Sequence, residues 1–134
     1  MSSHTGATST TTAATTSSTD DKTIYKLTFY VPPANTQACL SALWATGAGT
    51  WPNDDGGPAL YTDTAFISRG TGQFKPSAAA NPHIGAPGQV EYVEEDRVEM
   101  VVVGTQTCRT AVQVLRKAHP YEVVALFVAR CEDF

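Results

Sequence analysis

The spacing of apolar residues along the chain switches between the period of strands and the period of helices. Residues 24–31 alternate between an apolar face that begins at Tyr25 and a polar face that begins at Lys26, which predicts a half-buried strand. The other segments with the composition or spacing of strands are 60–68, 90–103 and 123–129. Helical spacing covers residues 35–46 and the segment that runs from Thr105 or Thr107 to His119.

The predicted order of elements is therefore β-α-β-β-α-β. This order is typical of the ferredoxin-like fold of the α+β class, in which two helices cover one face of a four-stranded antiparallel sheet. The other face of such a sheet has no cover within the chain.

The predicted last strand indicates self-association. Between Val123 and Ala129 the side chains are apolar on both faces of the strand. Because the helices shield one face only, the opposite face would expose an apolar patch unless another molecule covered it. A second copy of the same sheet is the simplest cover, so we expect a homo-oligomer.

The composition divides the chain at about residue 22. Of residues 2–19, 13 are Ser or Thr, and the only apolar ones are alanines. Such a stretch cannot bury enough apolar surface to offset its chain entropy, so residues 1–21 are expected to form a disordered tail. Residues 22–134 are expected to form a single domain.

Charge and cysteine content exclude several classes of protein. The net charge is −4 and no basic stripe is present, which argues against a nucleic-acid partner. No segment has the pattern of a secretory signal or of a membrane span. The 3 cysteines include no C-x-x-C pair, so neither a disulfide framework nor a zinc site is indicated, and a cytoplasmic location fits best.

Residues 70–89 are predicted to form a long irregular connection, a feature that is often functional in small domains. It begins with Gly70-Thr71-Gly72-Gln73-Phe74-Lys75 and continues to Asn81-Pro82-His83. Backbone N–H groups at Gly70 and Gly72, together with Lys75, would suit a small anionic ligand, with Asn81 nearby. The alternative is a tight strand exit in which the glycines adopt positive φ.

The run Ala118-His119-Pro120-Tyr121-Glu122 holds the second set of candidate site residues. His119 and Glu122 could act as an acid/base pair or, with His83, could bind a divalent metal. Alternatively, His119 caps the end of the second helix as a cation, and Glu122 pairs with a neighbouring cation.

Other catalytic chemistry is not indicated by the sequence. The acidic residues between Glu91 and Glu99 lie on an alternating strand that also contains Arg97, so an ion-paired or solvated face is expected. No Ser-His-Asp or Cys-His arrangement has a recognisable local context. We therefore predict no catalytic residues and favour a protein that is not an enzyme.

These motifs together resemble one known domain type. The pattern consists of Tyr30-Val31-Pro32, Gly47-Ala48-Gly49, Gly70-Thr71-Gly72-x-Phe74-Lys75-Pro76, Asn81-Pro82-x-x-Gly85, Val93-Glu94-Glu95-x-Arg97 and Ala118-His119-Pro120-Tyr121-Glu122. It is similar to the YqfO-type domain, a PII/CutA-like module of the NGG-interacting-factor (Nif-three-like) family, as a stand-alone domain. The resemblance implies a CutA-like fold and assembly into trimers or higher oligomers.

The same resemblance also limits which functions of the family can be expected of this chain. Full-length members carry a flanking domain with a dinuclear metal centre built from several histidines and carboxylates. This chain has 3 histidines, His4, His83 and His119, so a hydrolase-like activity is not implied. We favour an oligomeric, non-catalytic module that binds a small ligand or a metal. The alternatives are a metal-dependent hydrolase-like enzyme using His83, His119 and Glu122, and a structural domain for protein interaction.

Overall fold

A computed structural model describes residues 21–134. Apart from Asp21, the tail predicted over residues 1–21 lies outside the described residues. The elements in chain order are β1 (Ile24–Val31), a 3₁₀ turn (Pro33–Asn35), α1 (Thr36–Trp44), β2 (Phe66–Phe74), β3 (Glu91–Val103), α2 (Thr105–Ala118) and β4 (Leu126–Cys131). The predicted β-α-β-β-α-β order and the α+β class are confirmed.

The four strands form one antiparallel sheet in the order β2-β3-β1-β4. Apolar and polar side chains alternate along its central strands. One face of the sheet is therefore apolar and packs against α1 and α2. The buried core draws on this face and on both helices, and its largest fully buried side chains are Phe29, Leu27, Leu40, Leu43 and Leu115. The face of the sheet opposite the helices is called the open face below.

Two strands differ from their predicted positions. The second strand was expected over residues 60–68 but is observed at Phe66–Phe74, so the glycine-rich run belongs to the strand. The last strand was expected over 123–129 but is observed at Leu126–Cys131. In the segment before it, Val124 is buried in the core, so the apolar run spans a turn and a strand.

A buried carboxylate joins the sheet to the first helix. Asp96 is buried, and it accepts hydrogen bonds from Thr36 Oγ1 at 2.6 Å and from Arg69 Nε at 2.6 Å. Burial alone would raise the pKa of Asp96, but the two hydrogen bonds and the positive charge of Arg69 outweigh it and hold that pKa below its usual value. The charge of Asp96 is thereby compensated where β3 contacts Thr36, the first residue of α1.

The second helix begins at a glycine and not at a threonine cap. Gly104 has φ of 96°, a conformation that side chains rarely adopt, and neither Thr105 nor Thr107 caps the helix with its side chain. Asp21 Oδ2 instead accepts the backbone N–H of Thr105 at 2.7 Å. No helix within residues 21–134 is long and apolar enough to cross a membrane, and the expected cytoplasmic location stays a prediction.

Candidate functional site

The two sequence runs with turn formers and polar residues meet around one cleft. Residues 73–76 at the end of β2, the following loop, and residues 121–125 before β4 enclose about 390 Å³. The polar and aromatic side chains that line the cleft are Gln73, Phe74, Lys75, His83, Glu95, Tyr121 and Glu122. Most of the remaining wall is apolar.

Tyr121 is the central side chain of the cleft. Its ring lies 4.8 Å from the ring of His119, 6.2 Å from that of His83 and 6.4 Å from that of Phe74, measured between centroids. Its hydroxyl donates a hydrogen bond to Glu95 Oε2 at 3.1 Å. Burial, together with the charge and the hydrogen bond of Glu95, raises the pKa of Tyr121 to about 12.

Gly72 leaves room for the carboxylate that holds Tyr121. The Glu95 side chain lies across Gly72 on the neighbouring strand, and a methyl group at Gly72 would overlap that carboxylate. A side chain at residue 72 would therefore push Glu95 away from the Tyr121 hydroxyl. Neither Gly70 nor Gly72 has positive φ, so the positive φ predicted for these glycines in the alternative is wrong, although the strand does end just after them, at Phe74.

His119 uses both ring nitrogens to fix the backbone near Tyr121. Its Nε2 lies 2.6 Å from the Tyr30 carbonyl oxygen, and its Nδ1 accepts the backbone N–H of Tyr121 at 3.1 Å. Because a carbonyl only accepts, Nε2 carries the proton and the ring is neutral. His119 is only 6% exposed, and its ring does not cap the helix as a cation.

Hydrogen bonds hold the loop between β2 and β3 at its base and near its tip. Gly88 donates its N–H to the Pro76 carbonyl at 2.7 Å. Farther along the loop, Glu122 Oε1 accepts the backbone N–H of Asn81 at 3.0 Å. The loop therefore crosses to the segment before β4, and Glu122 holds it beside the cleft.

Similar proteins place this domain in a family. A protein from Halalkalibacterium halodurans, named GTP cyclohydrolase 1 type 2 homolog, is 38% identical over 104 residues, which are 78% of this chain and 26% of that protein. A solved structure of a Bacillus cereus protein related to NIF3 matches with a TM-score of 0.67 and 29% identity, covering 84% of this chain and 27% of that one. The chain is a CutA-like domain of the NIF3 family.

The fold alone is shared more widely. CutA1, a divalent ion tolerance protein from Ehrlichia chaffeensis, matches with a TM-score of 0.58 at 13% identity, over 84% of this chain and 85% of CutA1. No family model matches the chain. This NIF3-family domain spans about a quarter of the length of its curated relatives.

The structure places the predicted ligand residues of this NIF3-family domain in three groups. Lys75, His83 and Glu122 line the cleft. Asn81 and His119 do not line it: the exposed Asn81 donates its backbone N–H to Glu122, and the buried His119 supports Tyr121. Gly70 and Gly72 lie in β2, and with the Glu95 carboxylate across Gly72 an anion bound there would meet a like charge.

The predicted metal trio of His83, His119 and Glu122 is not assembled. His119 has no free nitrogen, since both take part in hydrogen bonds to the backbone. Within residues 21–134, no group of three or more His, Cys, Asp or Glu side chains is placed to hold a metal ion. The residues present therefore do not fit a metal centre of this kind.

The sequence reasoning missed two residues of the site. Tyr121 lies in the run from Ala118 to Glu122, but the sequence predicts no role for it, and for Glu95 the sequence predicts an ion-paired or solvated face. That assignment holds for its neighbours, since Glu94 pairs with Arg69 at 3.4 Å and Glu99 pairs with Lys26 at 3.5 Å. The sequence feature that could have indicated this role is the pair of glycines opposite Glu95. Two residues without side chains leave space beside its carboxylate.

The Tyr121–Glu95 contact predicts a shifted phenol titration. In the Glu95→Gln variant we expect the pKa of Tyr121 to fall from about 12 towards its ordinary value of 10.0 without reaching it, because burial is the largest cause and remains. The titration can be followed by NMR of ¹³Cζ-labelled tyrosine. Glu94→Gln is the control, since Glu94 is exposed and bonds to Arg69. Equal Tyr121 titrations in the two variants would contradict the contact.

Because His119 is buried and neutral, we expect the free energy of unfolding of the domain to depend on pH. Burial lowers the pKa of His119 below 6.5, against the opposing effects of the Tyr30 carbonyl and the Glu95 carboxylate. The unfolded chain therefore binds more protons below pH 6.5, and the free energy of unfolding should decrease as pH falls from about 7.5 to about 5.5. Urea unfolding at several pH values measures this. His119→Gln should flatten the profile in that window, and a parallel profile would count against the assignment.

Proposed function

We propose that this domain is a non-catalytic regulatory module that binds a small ligand in the cleft and acts as an oligomer. The observation that carries the proposal is the meeting of the two sequence runs around a cavity of about 390 Å³. That volume is in the range of small-molecule sites, which are mostly apolar with a few placed polar groups. Lys75, Glu95 and Glu122 are the charged groups of this cleft.

The contacts of His119 and His83 favour ligand binding over catalysis. A general acid or base needs a ring nitrogen within reach of its substrate. His119 has both nitrogens engaged with backbone groups, so it acts on the shape of the cleft and not on a ligand proton. His83 is exposed and packs its ring near Tyr121.

The proposal is confined to the part shared with the relatives. The name GTP cyclohydrolase 1 type 2 homolog belongs to proteins of which this chain covers 26%. We therefore assign ligand binding to this domain and leave any reaction to the remainder of those longer proteins.

A fragment screen tests ligand binding at the cleft. We expect ligand-observed NMR to find binders, and we expect Val123→Trp to abolish their binding, because Val123 is 79% exposed and lines the cleft. This change fills the cavity without removing a packed side chain. Tyr92→Trp is the matched control, since Tyr92 is also exposed but does not line the cleft. Absence of any binder, or binding that survives Val123→Trp, would refute the proposed site.

Assembly into a trimer or a higher oligomer is the second part of the proposal. It is supported by the open face of the sheet, where Phe66 is 63% exposed and Phe127 is 64% exposed. Large apolar side chains on a face without a cover favour burial against another molecule.

A further inference from the structure

We infer that the ligand of the cleft is a small organic cation, an ammonium group on an apolar body about the size of one ring. This inference rests on the proposed function, since it specifies what the same cleft binds. It draws on three features of the cleft, namely the free oxygens of its carboxylates, its balance of charge and its aromatic walls.

Each carboxylate of the cleft is held by one oxygen and leaves the other free. Glu95 uses Oε2 for the Tyr121 hydroxyl, and Glu122 uses Oε1 for the Asn81 N–H. Within the described part of the chain, Glu95 Oε1 and Glu122 Oε2 make no further hydrogen bond. These oxygens accept only, so they match a ligand with N–H donors, and a charged donor gives the stronger bond.

The balance of charge favours a cation. Among the residues that the structure describes, Glu95 and Glu122 face the cavity against a single lysine, Lys75, and no arginine lines it. Lys75 is exposed, and the flexible lysine side chain can keep its ammonium group in solvent. Glu122 is also exposed, but each carboxylate is anchored by a hydrogen bond and therefore has less freedom than the lysine. A positively charged ligand would therefore contact the two anchored carboxylates, whereas an anionic ligand would contact only the mobile ammonium group of Lys75.

The aromatic walls suit both parts of such a ligand. Phe74 and Tyr121 lie with their ring centroids 6.4 Å apart, and the π-faces of such rings attract ammonium groups at distances up to about 6 Å. Pro82, Ile84 and Val123 add apolar surface against which a ligand ring would be shielded from water. The hydroxyl of Tyr121 is already donated to Glu95, so it does not attract an anion.

Two probes of the same shape and opposite charge test this inference. Benzylamine and benzoate are titrated separately into the ¹⁵N-labelled chain at pH 7.5 and low salt, and amide shifts of the residues lining the cleft are followed. We expect benzylamine to bind at least about tenfold more tightly than benzoate. Glu122→Gln and Glu95→Gln should each weaken benzylamine by about tenfold, as expected for one charge-assisted hydrogen bond. Glu94→Gln, outside the cleft, should leave its affinity unchanged.

The other outcomes separate this inference from the proposed function. If benzoate binds more tightly and Lys75→Gln abolishes its binding, the site selects anions and the inference is wrong, while the proposed function stands. The same holds if neither probe shifts the cleft resonances but neutral fragments bind there. If no fragment of any charge binds at the cleft, the proposed function fails as well. Equal affinity of benzylamine for the wild type and both glutamine variants would also overturn the assignment.

Discussion

Replacing His119 with alanine should lower the free energy of unfolding by about 2–4 kcal/mol and disorder the cleft. The change removes hydrogen bonds to Tyr30 O and Tyr121 N, each worth about 1 kcal/mol, and it leaves those part-buried groups unpaired and a cavity behind. It also removes the ring that supports Tyr121 at 4.8 Å. Urea denaturation followed by circular dichroism measures the stability loss.

Two further variants separate the roles of the two nitrogens. His119→Gln can place an N–H near the position of Nε2 and retain the donor to Tyr30, whereas His119→Asn can place an oxygen near the position of Nδ1 and retain the acceptor for Tyr121. We expect each to recover part of the stability lost in His119→Ala. Only His119→Asn should keep the Tyr121 amide resonance close to its wild-type position, because that amide bonds to Nδ1.

His83→Ala is the matched control for this series. His83 is an exposed imidazole that also lies near the Tyr121 ring, at 6.2 Å. As an exposed site it should lose no more than about 0.5 kcal/mol. A loss in His119→Ala as small as that of His83→Ala would mean that His119 does not support the turn.

The fold was predictable because its central elements follow simple periods. In β1, the alternation that starts at Tyr25 fixes which face meets the helices, and the observed strand is the predicted one. The observed bounds of the edge strands β2 and β4 differ from the predicted bounds, because apolar and polar residues alternate less regularly in these segments. β2 runs through Gly70 and Gly72, residues that weaken a strand pattern, and the Glu95 side chain fills the space above Gly72.

The site was predictable only in part, since its geometry depends on contacts between distant segments. The runs around His83 and Glu122 were recognisable from local turn chemistry, and both residues line the cleft. The role of His119 was not recognisable, because Tyr30, whose carbonyl it contacts, lies 89 residues away in the chain. Tyr121 and Glu95 are 26 residues apart, and no sequence spacing indicates that their side chains meet.

Replacing Phe127 with glutamate should dissociate the proposed oligomer into single chains. Phe127 pairs with Thr28, Thr28 pairs with Glu99, and Glu99 pairs with Phe66, so the two phenylalanines end one row across all four strands. With strands about 4.8 Å apart, these rings are about 14 Å from each other on the open face. Ion pairs of Glu99 with Lys26 and Arg97 occupy the middle of this face.

This arrangement explains why one residue should have a large effect. Burying a phenylalanine contributes about 1.5–3 kcal/mol, and a buried unpaired carboxylate opposes association further. At least about a hundredfold weaker self-association is therefore expected in Phe127→Glu, visible as a lower mass in light scattering after gel filtration. Tyr92→Glu is the control, since Tyr92 is 66% exposed on the helix-side face of the sheet. A wild-type mass equal to one chain, or an unchanged oligomer in Phe127→Glu, would show that the open face is not the contact between copies.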